Sequence, residues 1–95
     1  MTAAVETVRL RITGQVQGVG YRLWATRTAA SLGLRGWVRN RRDGSAEALL
    51  TGAPEAVATM IEAARKGPLG AHVTGVTVTP DKDDGSVGFA SRPTE

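Results

Sequence analysis

The sequence has no cysteine. That absence removes disulfides, thiolate metal sites and a cysteine nucleophile together. Histidine occurs once, as His72, and an isolated histidine lacks the partner that a triad needs. A structural or solvent-facing role is expected for it. Metal sites call for clustered His, Cys or carboxylates, and the one acidic cluster, Asp81, Asp83 and Asp84, lacks the spacing of a calcium loop. It reads as a solvated loop. Aromatic residues are scarce, with two Trp, one Tyr and one Phe, too few for a stacking RNA-recognition surface. No apolar run approaches the length of a membrane span, and nothing near Met1 resembles a signal peptide. The expectation is one small cytoplasmic domain over residues 1–95, monomeric, with no metal, nucleic-acid partner or membrane contact.

What is present is charge of one sign, concentrated in one stretch. From Thr7 to Arg42 there is no Asp or Glu, yet the stretch carries Arg9, Arg11, Arg22, Arg27, Arg35, Arg39, Arg41 and Arg42. The net charge of only +3 conceals this, because all nine acidic side chains lie outside the stretch. A one-signed field concentrates anions near it. For most of these arginines a solvated basic face suffices; the asymmetry asks for an anionic ligand without identifying it.

The chain turns on Gly14-Gln15-Val16-Gln17-Gly18-Val19-Gly20-Tyr21-Arg22. Before it, Val8, Leu10 and Ile12 alternate with Arg9, Arg11 and Thr13, the pattern of a half-buried strand. After it, Ala25, Thr28, Ala29 and Leu32 recur at helical spacing, and Gly33 is placed as a left-handed cap. Three glycines in seven positions let backbone N–H groups converge on one point, and the helix adds the positive end of its dipole. Arg22 falls in the first helical turn, where a cation is disfavoured and no carboxylate is near. A bound phosphate resolves that conflict.

Further along, Leu34 to Asn40 reads as a second strand, with Leu34 and Val38 on one face and Trp37 and Arg39 on the other. Arg41-Arg42-Asp43-Gly44 is a hairpin turn in which Asp-Gly supplies positive φ angles. A third strand covers Ser45 to about Thr51. Pro54 and Glu55 open a second helix, whose apolar stripe is Val57, Met60, Ile61 and Ala64 and which Gly67-Pro68 stops. A fourth strand covers roughly His72 to Thr79, with Val73 out of phase with Val76 and Val78, so a bulge is expected near Gly75. Val87 to Ala90 is a short edge strand at most, and the residues after it should fray. The order β-α-β-β-α-β is the split βαβ, ferredoxin-like arrangement, an antiparallel sheet of four to five strands with both helices on one face.

The glycine turn is no common nucleotide motif. A Walker A loop ends Gly-Lys-Ser/Thr, whereas this one ends Gly-Tyr-Arg, and G-x-G-x-x-G is not completed. One phosphate cradle and one arginine suit only an easy reaction. Hydrolysis of a carboxylic–phosphoric anhydride is such a reaction, because the carboxylate leaving group has a pKa of roughly 4 and needs no general acid. The work reduces to holding the phosphoryl group and aiming a water.

The run Gly14–Arg22 together with Gly36-Trp37-Val38-Arg39-Asn40-Arg41-Arg42-Asp43-Gly44-Ser45-Ala46-Glu47 closely resembles the acylphosphatase family. Leu32-Gly33-Leu34 and Lys66-Gly67-Pro68 fit the same pattern, and the resemblance covers about residues 7–79 in register with the element order above. It implies a ferredoxin-like fold and hydrolysis of acyl phosphates to carboxylate and orthophosphate, without metal or cofactor. It also implies that Arg22 binds the phosphate, that Asn40 positions the nucleophilic water, and that backbone N–H groups of Gln15, Val16, Gln17, Gly18, Val19 and Gly20 form the phosphate loop. Physical reasons accompany these assignments. Arginine offers a planar fork to two phosphate oxygens, and asparagine accepts from a water without adding negative charge. Asn40 ends a strand expected beside the first one, within reach of the cradle. Read alone, Asn40 is also an ordinary turn residue, Gln17 either lines the site or faces solvent, and Trp24 and Trp37 suit core or rim packing. The competing function is a non-catalytic anion- or RNA-binding module on the same fold. The stretch Val87–Arg92 is a weak version of the family's last strand, which leaves the edge strand open.

Overall fold

The computed structural model describes residues 4–95; residues 1–3 of the single domain expected over 1–95 lie outside the described residues. The elements are β1 (Glu6–Gln15), α1 (Tyr21–Ser31), β2 (Arg35–Asn40), β3 (Ala46–Gly52), α2 (Pro54–Lys66), β4 (His72–Pro80) and β5 (Phe89–Arg92). They form one sheet in the order β4-β1-β3-β2-β5. Alternation places Val8, Leu10 and Ile12 of β1 opposite Leu50, Ala48 and Ala46 of β3, all buried on one face. Onto that face pack Tyr21, Ala25 and Ala29 of α1 and Val57, Met60 and Ala64 of α2, in a single apolar cluster. Both helices therefore lie on one side of the sheet, as the right-handed crossovers require.

Local signals end the helices where the sequence placed them. After α1, Leu34 N–H donates to Ala29 O and Gly33 N–H to Ala30 O, both at 3.0 Å, with Gly33 at φ 72°. That is the paired-bond, left-handed termination a glycine in this position allows. In α2, Pro54 occupies the first turn, Glu55 meets the positive end of the dipole, and Arg65 and Lys66 sit at the negative end. The expected bulge is present: Thr13 faces Gly75 but Gly14 faces Val73, so Thr74 is the extra residue of β4.

Four expectations need correction. The sheet is mixed, because β5 pairs with β2 in parallel. The chain leaves β4 near the start of β1, where Asp81 N–H donates to Thr7 O, crosses the helix-free face, and begins β5 beside Gly36 at the start of β2. Strand β5 must then run the same way as β2. It covers Phe89–Arg92 rather than residues 87–90, and the residues after it are held rather than frayed, since Glu95 N–H donates to Asn40 O at 2.9 Å. Third, β2 is not beside β1, because β3 lies between them. Both are antiparallel to β3, so their C-terminal ends still share one end of the sheet. Finally, in the β2–β3 hairpin only Gly44 has positive φ (94°) and Asp43 does not. Arg41 N–H donates to Ser45 O and Gly44 N–H to Arg41 O, a three-residue loop that needs one left-handed residue.

Candidate active site

Strand β1 ends at Gln15, opposite His72, and the chain then curls through Val16–Gly20 into α1. Val16 is buried and anchors the loop, while Gln17, Gly18 and Gly20 are exposed. Gly18 and Gly20 are left-handed, at φ 75° and 78°, and a Cβ at either would meet nothing within 4 Å. Conformation, and not space, selects glycine at these two positions. Gly14 has a different reason: it is still in β1, and a Cβ there would lie 2.1 Å from the His72 carbonyl oxygen. Of the three glycines, two shape the cradle and one admits a close strand.

Among the described residues, no N–H from Val16 to Gly20 donates to a backbone or side-chain acceptor. Gly20 caps α1 without a side-chain bond, and the first turn holds no acidic residue. N–H donors without acceptors thus lie next to the positive end of the helix dipole, an arrangement that favours an anion.

Arg22 is the second residue of α1 and is half-buried. Its Nη1 donates to the carbonyl oxygen of Arg92 at 3.1 Å. Pairing within the fold separates it from most of the other arginines. Arg9 pairs with Glu47 and Asp81, Arg11 with Asp43, Arg35 with Asp83, Arg39 with Glu47 and Glu95, and Arg41 with Glu47. Arg22, Arg27 and Arg42 make no ion pair among the described residues, and Arg22 follows the cradle directly in the chain. The solvated basic face is therefore largely a network of ion pairs.

Asn40 is the last residue of β2, in one row with Ala46 and Ile12 on the core-facing side. It is 8% exposed, and its Oδ1 is buried without a hydrogen-bond partner among the described residues. Buried amide oxygens are seldom left so, because the desolvation cost goes unrepaid. Two links hold this strand end against the cradle. Gln17 Nε2 donates to Arg41 O at 2.7 Å and to Ser45 O at 3.0 Å, bracketing the hairpin that follows Asn40. The chain from Arg92, the last residue of β5, to Glu95 touches Arg22 through Arg92 O and Asn40 through Glu95 N–H. Its three residue steps span at most about 11 Å. The fold thus brings Gln15–Gly20, Arg22 and Asn40 to one end of the sheet.

Gln17 neither simply lines the cradle nor simply faces solvent. Trp24 packs at the edge of the core with its ring 5.2 Å from Tyr21, and Tyr21 Oη donates to Ala64 O, burial pushing its phenol up. Trp37 is buried on the helix-free face, away from the cradle, as its place on the strand foretold. Arg39, Arg92 and Arg9 lie 4.7, 4.9 and 6.0 Å from its ring centroid, and its indole N–H donates to Asp84. The acidic loop is exposed, as expected, yet its carboxylates are engaged across that face rather than only solvated. His72 is exposed at the start of β4. Sequence reasoning missed Arg92 and Glu95, whose backbone groups carry the contacts to Arg22 and Asn40. Main-chain groups leave no residue-type signal, and only the parallel run of β5 brings them here.

Residues 8–91 match the acylphosphatase family model. An acylphosphatase of Rhizobium etli is 56% identical over 75% of this chain and 76% of its own length. One of Rhodospirillum rubrum is 48% identical over 94% and 98%. The crystal structure of acylphosphatase from Bacillus subtilis superposes with a TM-score of 0.88 at 33% identity, covering 94% of this chain and 99% of that one. On sequence and architecture alike, the chain belongs to the acylphosphatase family.

Proposed function

We propose that this protein is an enzyme that hydrolyses the carboxyl–phosphate bond of small acyl phosphates, releasing a carboxylate and orthophosphate. The observation that carries the reading is a buried amide oxygen on Asn40, without a partner among the described residues, at the same end of the sheet as a cradle of N–H donors likewise without acceptors there. In this reading the phosphoryl oxygens lie against the N–H groups of Gln15–Gly20 and the guanidinium of Arg22. The cradle and the fork of Arg22 spread the charge that builds up on the equatorial oxygens. A water donates one hydrogen bond to Asn40 Oδ1, which directs its lone pair at phosphorus. The water oxygen bonds to phosphorus, the bond from phosphorus to the acyl oxygen breaks, and the carboxylate leaves with the electron pair. The proton lost by the water passes to a phosphate oxygen or to solvent. No residue is asked to act as acid or nucleophile, and the reaction needs no metal.

The partner is then a small anionic molecule, met by a monomer in the cytoplasm. Nucleic acid is not part of the reading. The helix-free face, where a related fold would stack bases, is crossed here by the ion pairs of Asp81 and Asp83 and by the bond from Trp37 to Asp84.

Phosphate release from acetyl phosphate tests the proposal. Wild-type protein is expected to turn over at an unchanged rate in EDTA and to sediment as a single chain. Arg22→Lys keeps the charge but loses the fork, and should cost about 10²-fold in kcat. Absence of turnover by the wild type, or full activity in Arg22→Lys, would reject the site as drawn.

A further inference from the structure

Gln17 occupies the middle of the cradle loop, between the buried anchor Val16 and left-handed Gly18. Its side-chain amide does not turn inward to the anion space. It crosses to the opposite wall and spends both N–H bonds there, on Arg41 O at 2.7 Å and Ser45 O at 3.0 Å. These two carbonyls already close the β2–β3 hairpin, accepting from Gly44 N–H and Arg41 N–H. Each uses its second lone pair on Gln17. The hairpin starts at the residue directly after Asn40. One side chain therefore joins the segment that offers N–H donors to the segment that carries the orphaned amide oxygen.

We propose that the Gln17 side chain is a positioning residue that sets Asn40 against the cradle through the hairpin carbonyls. The inference rests on the hydrolytic reading above and deepens it. The phosphoryl group belongs to one wall of the site and the attacking water to the other, so their alignment depends on the distance between the walls. The two segments are 24 and 28 residues apart along the chain. An error of about 1 Å in such an alignment costs about 10²-fold in rate, while anion binding by one wall alone is left intact. Glutamine suits the task because its primary amide supplies two N–H bonds at the end of a three-carbon reach. Asparagine is one methylene shorter, and glutamate has no donor.

Gln17→Ala removes the link. Gln17→Met keeps nearly the same length without donors or charge, and guards against a loop that misfolds when emptied. For both, kcat on acetyl phosphate should fall about 10- to 100-fold, while inhibition by inorganic phosphate stays within about threefold of wild type. In an Asn40→Ala background the same changes should cost less than about threefold more, because Gln17 acts through Asn40. Unchanged kcat would overturn the proposal. So would phosphate affinity that falls in step with kcat, which would mean that the side chain grips the anion itself. An equal loss in the Asn40→Ala background would overturn it as well.

Amide hydrogen exchange separates this proposal from the hydrolytic reading. Loss of the link should speed exchange at Arg41 and Gly44 about tenfold and leave the β1–β3 ladder unchanged. If the wild type proves inactive on acyl phosphates, the hydrolytic reading fails, and exchange still decides whether Gln17 holds the hairpin. Unaltered exchange at Arg41 and Gly44 in both variants would overturn the link itself.

Discussion

Arg22 and Asn40 differ in how a residue can announce a role. Arg22 does so through a conflict visible in one dimension: a cation in the first turn of a helix with no carboxylate nearby. Asn40 sits before a hairpin, where asparagine is common, and its distinguishing feature is an oxygen that the fold buries and does not satisfy. That oxygen makes an unusual prediction. Asn40→Ala removes a polar atom whose desolvation nothing repays, so the folded protein should lose little stability, with a denaturation midpoint equal to or above wild type. Turnover of acetyl phosphate should nevertheless fall about 10²-fold or more, with phosphate inhibition little changed. A large drop in midpoint, or near-normal turnover, would show that Asn40 serves the hairpin instead.

At the level of elements, strands β1 and β5 do the arranging. Strand β1 delivers the cradle, and it can approach β4 at the bulge only because Gly14 has no side chain. Gly14→Ala places a methyl group against the His72 carbonyl at φ 117°, so backbone must shift. The expected cost is about 2 kcal/mol or more by denaturant titration, and phosphate binding should weaken as the loop is displaced. Strand β5 was the least legible element, since Phe89 is its only large apolar residue. Its direction follows from a loop that crosses the open face and delivers the chain to the far edge. Backbone pairing with β2, not hydrophobic pattern, then carries its last residues to the site.

For the whole molecule, the charge asymmetry of the sequence becomes neutralisation in space. The acidic loop sets Asp81, Asp83 and Asp84 against the helix-free face, and the folded state favours their ionised forms. The Lys82 N–H and then Arg9 hold Asp81 below the usual carboxylate range, and Arg35 holds Asp83 there. The Ser86 hydroxyl does the same for Asp84, and the Ser45 hydroxyl for Asp43 in the hairpin. A carboxyl that loses its proton more readily when folded adds stability above its unfolded pKa of about 3.9. That stability is lost as the pH falls through the depressed folded values. The thermal midpoint should therefore hold from about pH 5 upward and drop below about pH 4. Asp83→Asn should make the drop shallower. Asp43, Asp83 and Asp84 are exposed and Asp81 is only half-buried, so the individual contributions are modest, and a steeper fall above pH 5 would assign the effect to other groups.

The sequence by itself determined the element order, the apolar faces, the helix ends, the bulge and the anion-seeking turn. Each of these depends on residues close together in the chain: a period of two or 3.6, a glycine at a cap, an arginine at a dipole end. Tertiary structure alone decided the rest. It inserted β3 between β1 and β2, ran β5 parallel to β2, and paired five arginines of the basic stretch with carboxylates up to 72 residues away. It left Asn40 Oδ1 orphaned at the end of the sheet that carries the cradle and used Gln17 to join the two walls. Those outcomes depend on which backbone carbonyl or charge meets which side chain across the fold, and no local pattern encodes that meeting.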